Sequence, residues 1–202
     1  MSQINICNQA LGHLGAKPIA SIDENTQEAR FCKIFYDDTL EEVLRDFPWN
    51  FAEMRRILAS VDVPTAHANW SYAYAYPSDC VRALEISENS DLDRDSQDFE
   101  LMTYEDGAGL QSRLILTNVE VANLKYTAYI VDTGLFESSF VASFALLLAS
   151  KLAQPITKDI KVVQLMTSLY TNSIPRAKTA DMKEHQDTSE EVDPWEDARF
   201  GR

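Results

Sequence analysis

The sequence predicts an α+β protein, mainly α: a bundle of about four helices, a small antiparallel β domain inserted between its halves, and a flexible C-terminal tail. Three observations carry that expectation. Apolar residues recur at helical spacing before residue 54 and again after residue 135. Between those limits large and small side chains alternate in short runs, the period of a strand. From Glu184 to Arg202, seven carboxylates stand against two arginines with few apolar residues among them. The expected divisions are residues 1–54 for the first helices, 55–134 for the β insertion, 135–183 for the closing helices and 184–202 for the acidic tail.

Ser2 is placed to cap a first helix built on Ile4, Cys7, Leu11 and Leu14, which Gly12, Gly15 and Pro18 bring to an end. His13 falls at that end, a position that suits a cap. A longer amphipathic helix is expected from about Thr26 to Phe47. Ala29, Cys32 or Phe31, Phe35 or Tyr36, Leu40, Val43 or Leu44, and Phe47 recur on one side, and Arg30, Lys33, Asp37 and Glu41 lie on the other. Pro48 stops it, and Trp49 and Phe51 then fold back as core anchors.

Strand character follows at Arg56–Val63, and Pro64–Asn69 reads as a polar loop. Trp70, Tyr72, Tyr74 and Tyr76 alternate with small residues, so one strand face is aromatic. That face can be core, a stacking platform for a sugar or base, or a contact between subunits. Pro77-Ser78-Asp79 is a turn, and Val81–Ile86 a strand. Phe99–Tyr104 and Arg113–Thr117 form a hairpin around Asp106-Gly107-Ala108-Gly109, and Lys125–Val131 is the last strand.

Helical spacing returns from Glu137 to about Ala153, apolar on most faces and therefore central, with Pro155 as its stop. The run Phe140–Ala149 is about half of a membrane span, so no membrane contact is expected. A final helix over about 158–187 turns Ile160, Val163, Leu165 or Met166, Leu169 and Ile174 inward, with a kink at Pro175. Trp195 and Phe200 are the large apolar groups of the tail.

The chemistry-bearing patterns are sparse. The chain contains no GxGxxG, GxxxxGK or GxSxG. Cys7, Cys32 and Cys80 are odd in number and far apart, which reads as reduced thiols; with His13, His67 and His185 they make no recognisable metal spacing. Asp37-Asp38 and Glu41-Glu42 lie on a solvated helix face, where nothing raises a carboxyl for acid catalysis. Asp91, Asp93, Asp95 and Asp98 imitate the start of a calcium loop, but Arg94 intrudes and the required Gly and Glu are missing. No cofactor, metal or catalytic group is expected, and the opening residues carry no signal-peptide pattern. The net charge of −14, without a basic cluster, argues against a grip on nucleic acid.

Several stretches are similar to a known family. The opening Ile-Asn-Ile-Cys-Asn-Gln-Ala-Leu-Gly-His-Leu-Gly-Ala-Lys-Pro-Ile is followed by Ser-Ile-Asp-Glu-Asn-Thr-Gln-Glu-Ala-Arg, and then by Tyr-Asp-Asp-Thr-Leu-Glu-Glu-Val-Leu-Arg-Asp-Phe-Pro-Trp-Asn-Phe-Ala. With Tyr74–Leu84, these resemble the tail tubular protein A-like head-to-tail adaptors of short-tailed bacteriophages. The likeness extends loosely through the Phe140 helix.

The resemblance implies a ring of about twelve copies, sited in the virion between the portal protein and the tail nozzle protein, with DNA passing through unbound. The protein would be made in the host cytoplasm and would not be an enzyme. Candidate subunit or portal contacts are Arg30, Lys33, Asp37 and Glu41 on the long helix, Trp70, Tyr72 and Tyr74 in the β region, and Trp195 and Phe200 in the tail. Two other classes are a cell-surface glycan hydrolase using Trp70, the tyrosines and two buried carboxylates, and an acidic soluble binding module. Ring assembly separates the adaptor from both.

Overall fold

The computed structural model of the protein describes residues 1–62, 69–88, 96–106 and 108–186, the side chains of 184–186 excepted. Helices α1 (Gln3–His13) and α2 (Gln27–Asp46) come first, and a 3-10 turn (Asn50–Ala52) leads into the strands. These are β1 (Glu53–Ile57), β2 (Tyr72–Ala75), β3 (Cys80–Ser87), β4 (Phe99–Glu105), β5 (Gln111–Thr117) and β6 (Asn123–Ala128). Helices α3 (Ser138–Thr157) and α4 (Ile160–Gln186) close the chain. The fold is thus α+β and mainly α, as the periodicities predict.

Caps set the first boundaries. Ser2 Oγ accepts from Asn5 N at 3.3 Å, and Thr26 Oγ1 from Ala29 N at 3.2 Å. Each satisfies a helical N–H that would otherwise lack a partner. At the end of α2, Phe47 leaves the helical region, and the chain turns inward to bury Trp49 completely. Its indole Nε1 donates to Val43 O at 2.9 Å, and its ring meets Phe47 and Phe140 edge-on. Phe51 packs on the same Phe140, with ring centroids 4.8 Å apart. The expected fold-back of Trp49 and Phe51 is therefore the joint between α2 and α3.

α3 is the centre of the bundle, with α1, α2 and α4 around it and Phe140, Phe144, Leu148 and Leu152 fully buried. It is longer than Pro155 led the sequence reading to expect. The proline lies inside the helix, which continues to Thr157 and ends where Lys158 adopts φ +57° and donates to Gln154 O at 3.1 Å. Pro155 lies in the last turn, so the one donor it lacks does not interrupt the helix ahead of it. By length and composition α3 could cross a membrane, but most of it is buried inside this bundle.

The β insertion is two three-stranded antiparallel sheets, ordered β1-β6-β3 and β2-β5-β4. Bridges at Ser60–Tyr74 and Ile86–Gln97 join them. Leu124, Tyr126 and Ile86 of one sheet share a core with Tyr74 and Ile115 of the other. β1 begins three residues before the expected Arg56, pairing Glu53 with Thr127. The expected loop Pro64–Asn69 lies outside the described residues except Asn69, as do Asp91, Asp93, Asp95, Gly107 and the tail from residue 187.

α4 bears out the expected inward face at Met166 and Ile174 and corrects it at Ile160 and Leu169. Met166 and Ala177 are buried, with Val162, Tyr170 and Ile174 packed beside them, whereas Ile160, Leu165 and Leu169 face outward. Polar contacts that an apolar pattern does not register set the rotation of the helix. Tyr170 Oη donates to Asp46 Oδ2 at 2.7 Å, Ser173 Oγ meets Ser143 Oγ at 3.0 Å, and Asp181 is buried against Asn50.

Candidate functional site

Three surfaces hold the candidate residues. The first is the outward face of α2. Arg30 Nη2 donates to Asn25 Oδ1 at 3.2 Å, and Lys33 pairs with Asp23 at 2.6 Å, so both cations are tied to the loop before the helix. Glu24 organises that loop by accepting from Ala20 N and the Thr26 hydroxyl, which hold its carboxyl below the usual range. Glu41 pairs with Arg45, and Glu42 with Lys151 of α3. Asp37 faces the Tyr129 phenol, whose pKa is pushed up to about 12, first by burial and then by the Asp37 charge. Asp38 makes no ion pair among the described residues, and Ile34 beside it is 55% exposed.

The second surface is a cleft of about 490 Å³ at one end of the β domain, where Trp70 and Tyr72 meet Glu88, Asp98, Asn118 and Glu120. Trp70 Nε1 donates to Glu100 Oε2 at 2.8 Å, and Ser71 N donates to Asn118 Oδ1 at 2.9 Å; together they hold the indole at the rim. Aromatic faces beside carboxylates can receive a cationic or hydroxyl-rich group. The carboxylates here are exposed, so the burial that equips a carboxyl as a general acid is not present at them.

The aromatic strand divides its residues between roles. Tyr74 is corrected from the contact surface to the core. It is 2% exposed, and its hydroxyl lies 2.8 Å from Val119 O and 2.6 Å from Glu120 O. Tyr76 is half-buried under the Arg113 guanidinium, 4.5 Å from its ring centre. Only Tyr72 and Trp70 remain toward the cleft. The strand pairs Tyr74 with Ile115 of central strand β5, and Tyr74 packs with Leu124 and Tyr126 of the other sheet, while Tyr72 is 37% exposed.

The third surface escaped the sequence reading. Ser139, Ala142 and Ser143 of α3 face Leu169, Asn172 and Arg176 of α4 across a furrow of about 470 Å³. The available signal was the spacing of the small residues: 139, 142 and 143 share one helix face and leave room above the backbone. Leu165, one turn before Leu169 on α4, is 54% exposed.

Among the described residues no three His, Cys, Asp or Glu side chains are grouped to hold a metal. All three cysteines are free; Cys7 and Cys32 are buried, and Cys80 is half-buried. Cys7 is held above the usual thiol range by its hydrogen bond with Cys32 and by burial. Trp195 and Phe200 lie outside the described residues. No family model and no curated protein matches the chain.

Proposed function

We propose that the protein is a structural head-to-tail adaptor of a bacteriophage, assembled as a ring of about twelve copies between the portal protein and the tail nozzle. The resemblance of its N-terminal half to that family motivates the reading. The observation that supports it best in the fold is the unfilled furrow between α3 and α4, lined by exposed Leu169, with exposed Leu165 one turn earlier on α4. A chain that keeps large side chains on the surface beside an open furrow has the makings of a subunit.

The acidic balance fits the same role. A conduit lined with carboxylates repels DNA phosphates and lets the genome slide without specific binding. In this reading residues 187–202 reach the portal through Trp195 and Phe200, and the protein performs no catalysis. It is made in the host cytoplasm and resides at the head–tail junction of the virion.

Electron microscopy of the cognate portal ring, with and without the protein, tests this. A new collar of density under the portal is the expected result. Bare portals at saturating protein would reject the adaptor role and turn attention to the Trp70 cleft, as a glycan site or a docking point of an acidic binding module.

A further inference from the structure

We propose that the α3–α4 furrow of one copy receives the outward face of α2, around Ile34 and Asp38, from the next copy in a head-to-tail contact. The inference rests on the ring reading above and names the two surfaces that would build it.

Shape comes first. Ser139, Ala142 and Ser143 keep one wall of the furrow low, so a ridge of larger side chains from another helix can enter between α3 and α4. The other wall, formed by Leu169, Asn172 and Arg176, belongs to α4, which packs chiefly on α3 within its own chain. The α2 face offers a ridge of matching character. Ile34 stands 55% exposed between half-buried Phe31 and Phe35, whose rings are 6.5 Å apart.

Charge then selects the occupant. In a chain of net charge −14, α4 is the basic helix, with four Lys or Arg against two carboxylates. α2 is the reverse, with six carboxylates against three cations. The α2 cations are already engaged within the subunit, by Asn25, Asp23 and Glu41, which leaves Asp38 to face outward. Arg176, at the furrow, has no ion-pair partner among the described residues. A furrow meeting its own image across a two-fold axis would bring together two walls that each carry Arg176 and no carboxylate, whereas α2 brings Asp38. Two different, complementary surfaces on one chain give a heterologous contact, which repeats into a ring when the rotation closes.

The test places cysteines at Ile34 and Leu169 together in a Cys80→Ser background and treats the protein with a short bismaleimide, alone and on portal rings. A ladder of cross-linked multimers is expected from the double variant and none from either single one. Leu169→Asp and Arg176→Glu should each shift assembled protein to monomer mass, and Asp38→Arg combined with Arg176→Glu should restore assembly. That charge swap keeps the test sound if Leu169→Asp fails to fold.

Rings that form without the cross-link, and that tolerate Leu169→Asp and Arg176→Glu, would overturn this contact and leave the ring reading intact. A ladder without closed rings would support the contact and overturn the ring. Protein that stays monomeric and uncross-linked, even on its portal, would overturn both.

Discussion

Asp181 and Asn50 hold one another at the junction of the bundle and the β insertion. The Asn50 backbone N–H donates to Asp181 Oδ1 at 3.0 Å, and the Asn50 side-chain Nδ2 donates to Asp181 O at 2.6 Å. Asp181 is 1% exposed, so a residue far along α4 is locked to the turn between α2 and β1. Removing the carboxylate leaves a sheltered N–H without its acceptor. Asp181→Ala should cost about 2 kcal/mol and Asp181→Asn less, read as the shift in urea midpoint. An unchanged midpoint for Asp181→Ala would show that this junction contributes nothing to the fold.

Trp49 is the largest fully buried side chain and joins α2 to α3 through Val43 and Phe140. Trp49→Ala should destabilise by about 3–5 kcal/mol, and Trp49→Phe by less, because the phenyl ring fills much of the space but cannot donate to Val43 O. Thermal unfolding followed by circular dichroism measures both. Equal melting temperatures for Trp49→Ala and the parent would contradict the placement of this ring.

Tyrosines govern the alkaline limit. Tyr76, Tyr126 and Tyr129 are pushed up to about 12, in each case chiefly by burial, and Tyr36 and Tyr170 rise further for the same first reason. A folded pKa above the unfolded value means the native state holds its proton more tightly. This stabilisation is complete below about pH 10 and is lost as the pH climbs toward 12. Tyrosinate absorbance should therefore rise in two stages, exposed phenols first and the buried group together with unfolding. A single rise near pH 10 with the fold intact would contradict it.

Deleting Asp187–Arg202 removes six carboxylates, two arginines, Trp195 and Phe200. The bundle should keep its melting temperature, while affinity for the portal falls by about tenfold or more, as losing aromatic anchors entails. Surface plasmon resonance on immobilised portal reads this; undiminished affinity would remove the tail from the docking surface.

The helices were legible because each declares itself locally. Ser2 and Thr26 mark starts, Pro48 marks an end, and the Phe140–Leu152 stripe is apolar enough to be central. Tyr74 was ambiguous, because alternation shows that aromatics share a face but not which end of it the second sheet covers. The rotation of α4 was hidden for a different reason. Apolar residues lie on two sides of it, and the choice between them rests on Tyr170–Asp46 and Asp181–Asn50, pairs separated by more than a hundred residues. The furrow was hidden with it, since its wall is the face that the sequence placed inside.

Ring closure of this chain with itself is the property on which the adaptor proposal stands. Light scattering gives the mass of the purified protein, alone and with the cognate portal added. A discrete mass many times that of one chain is expected in at least one of the two conditions, at about twelve copies per portal. A single-chain mass in both, with the portal mass unchanged, would contradict it.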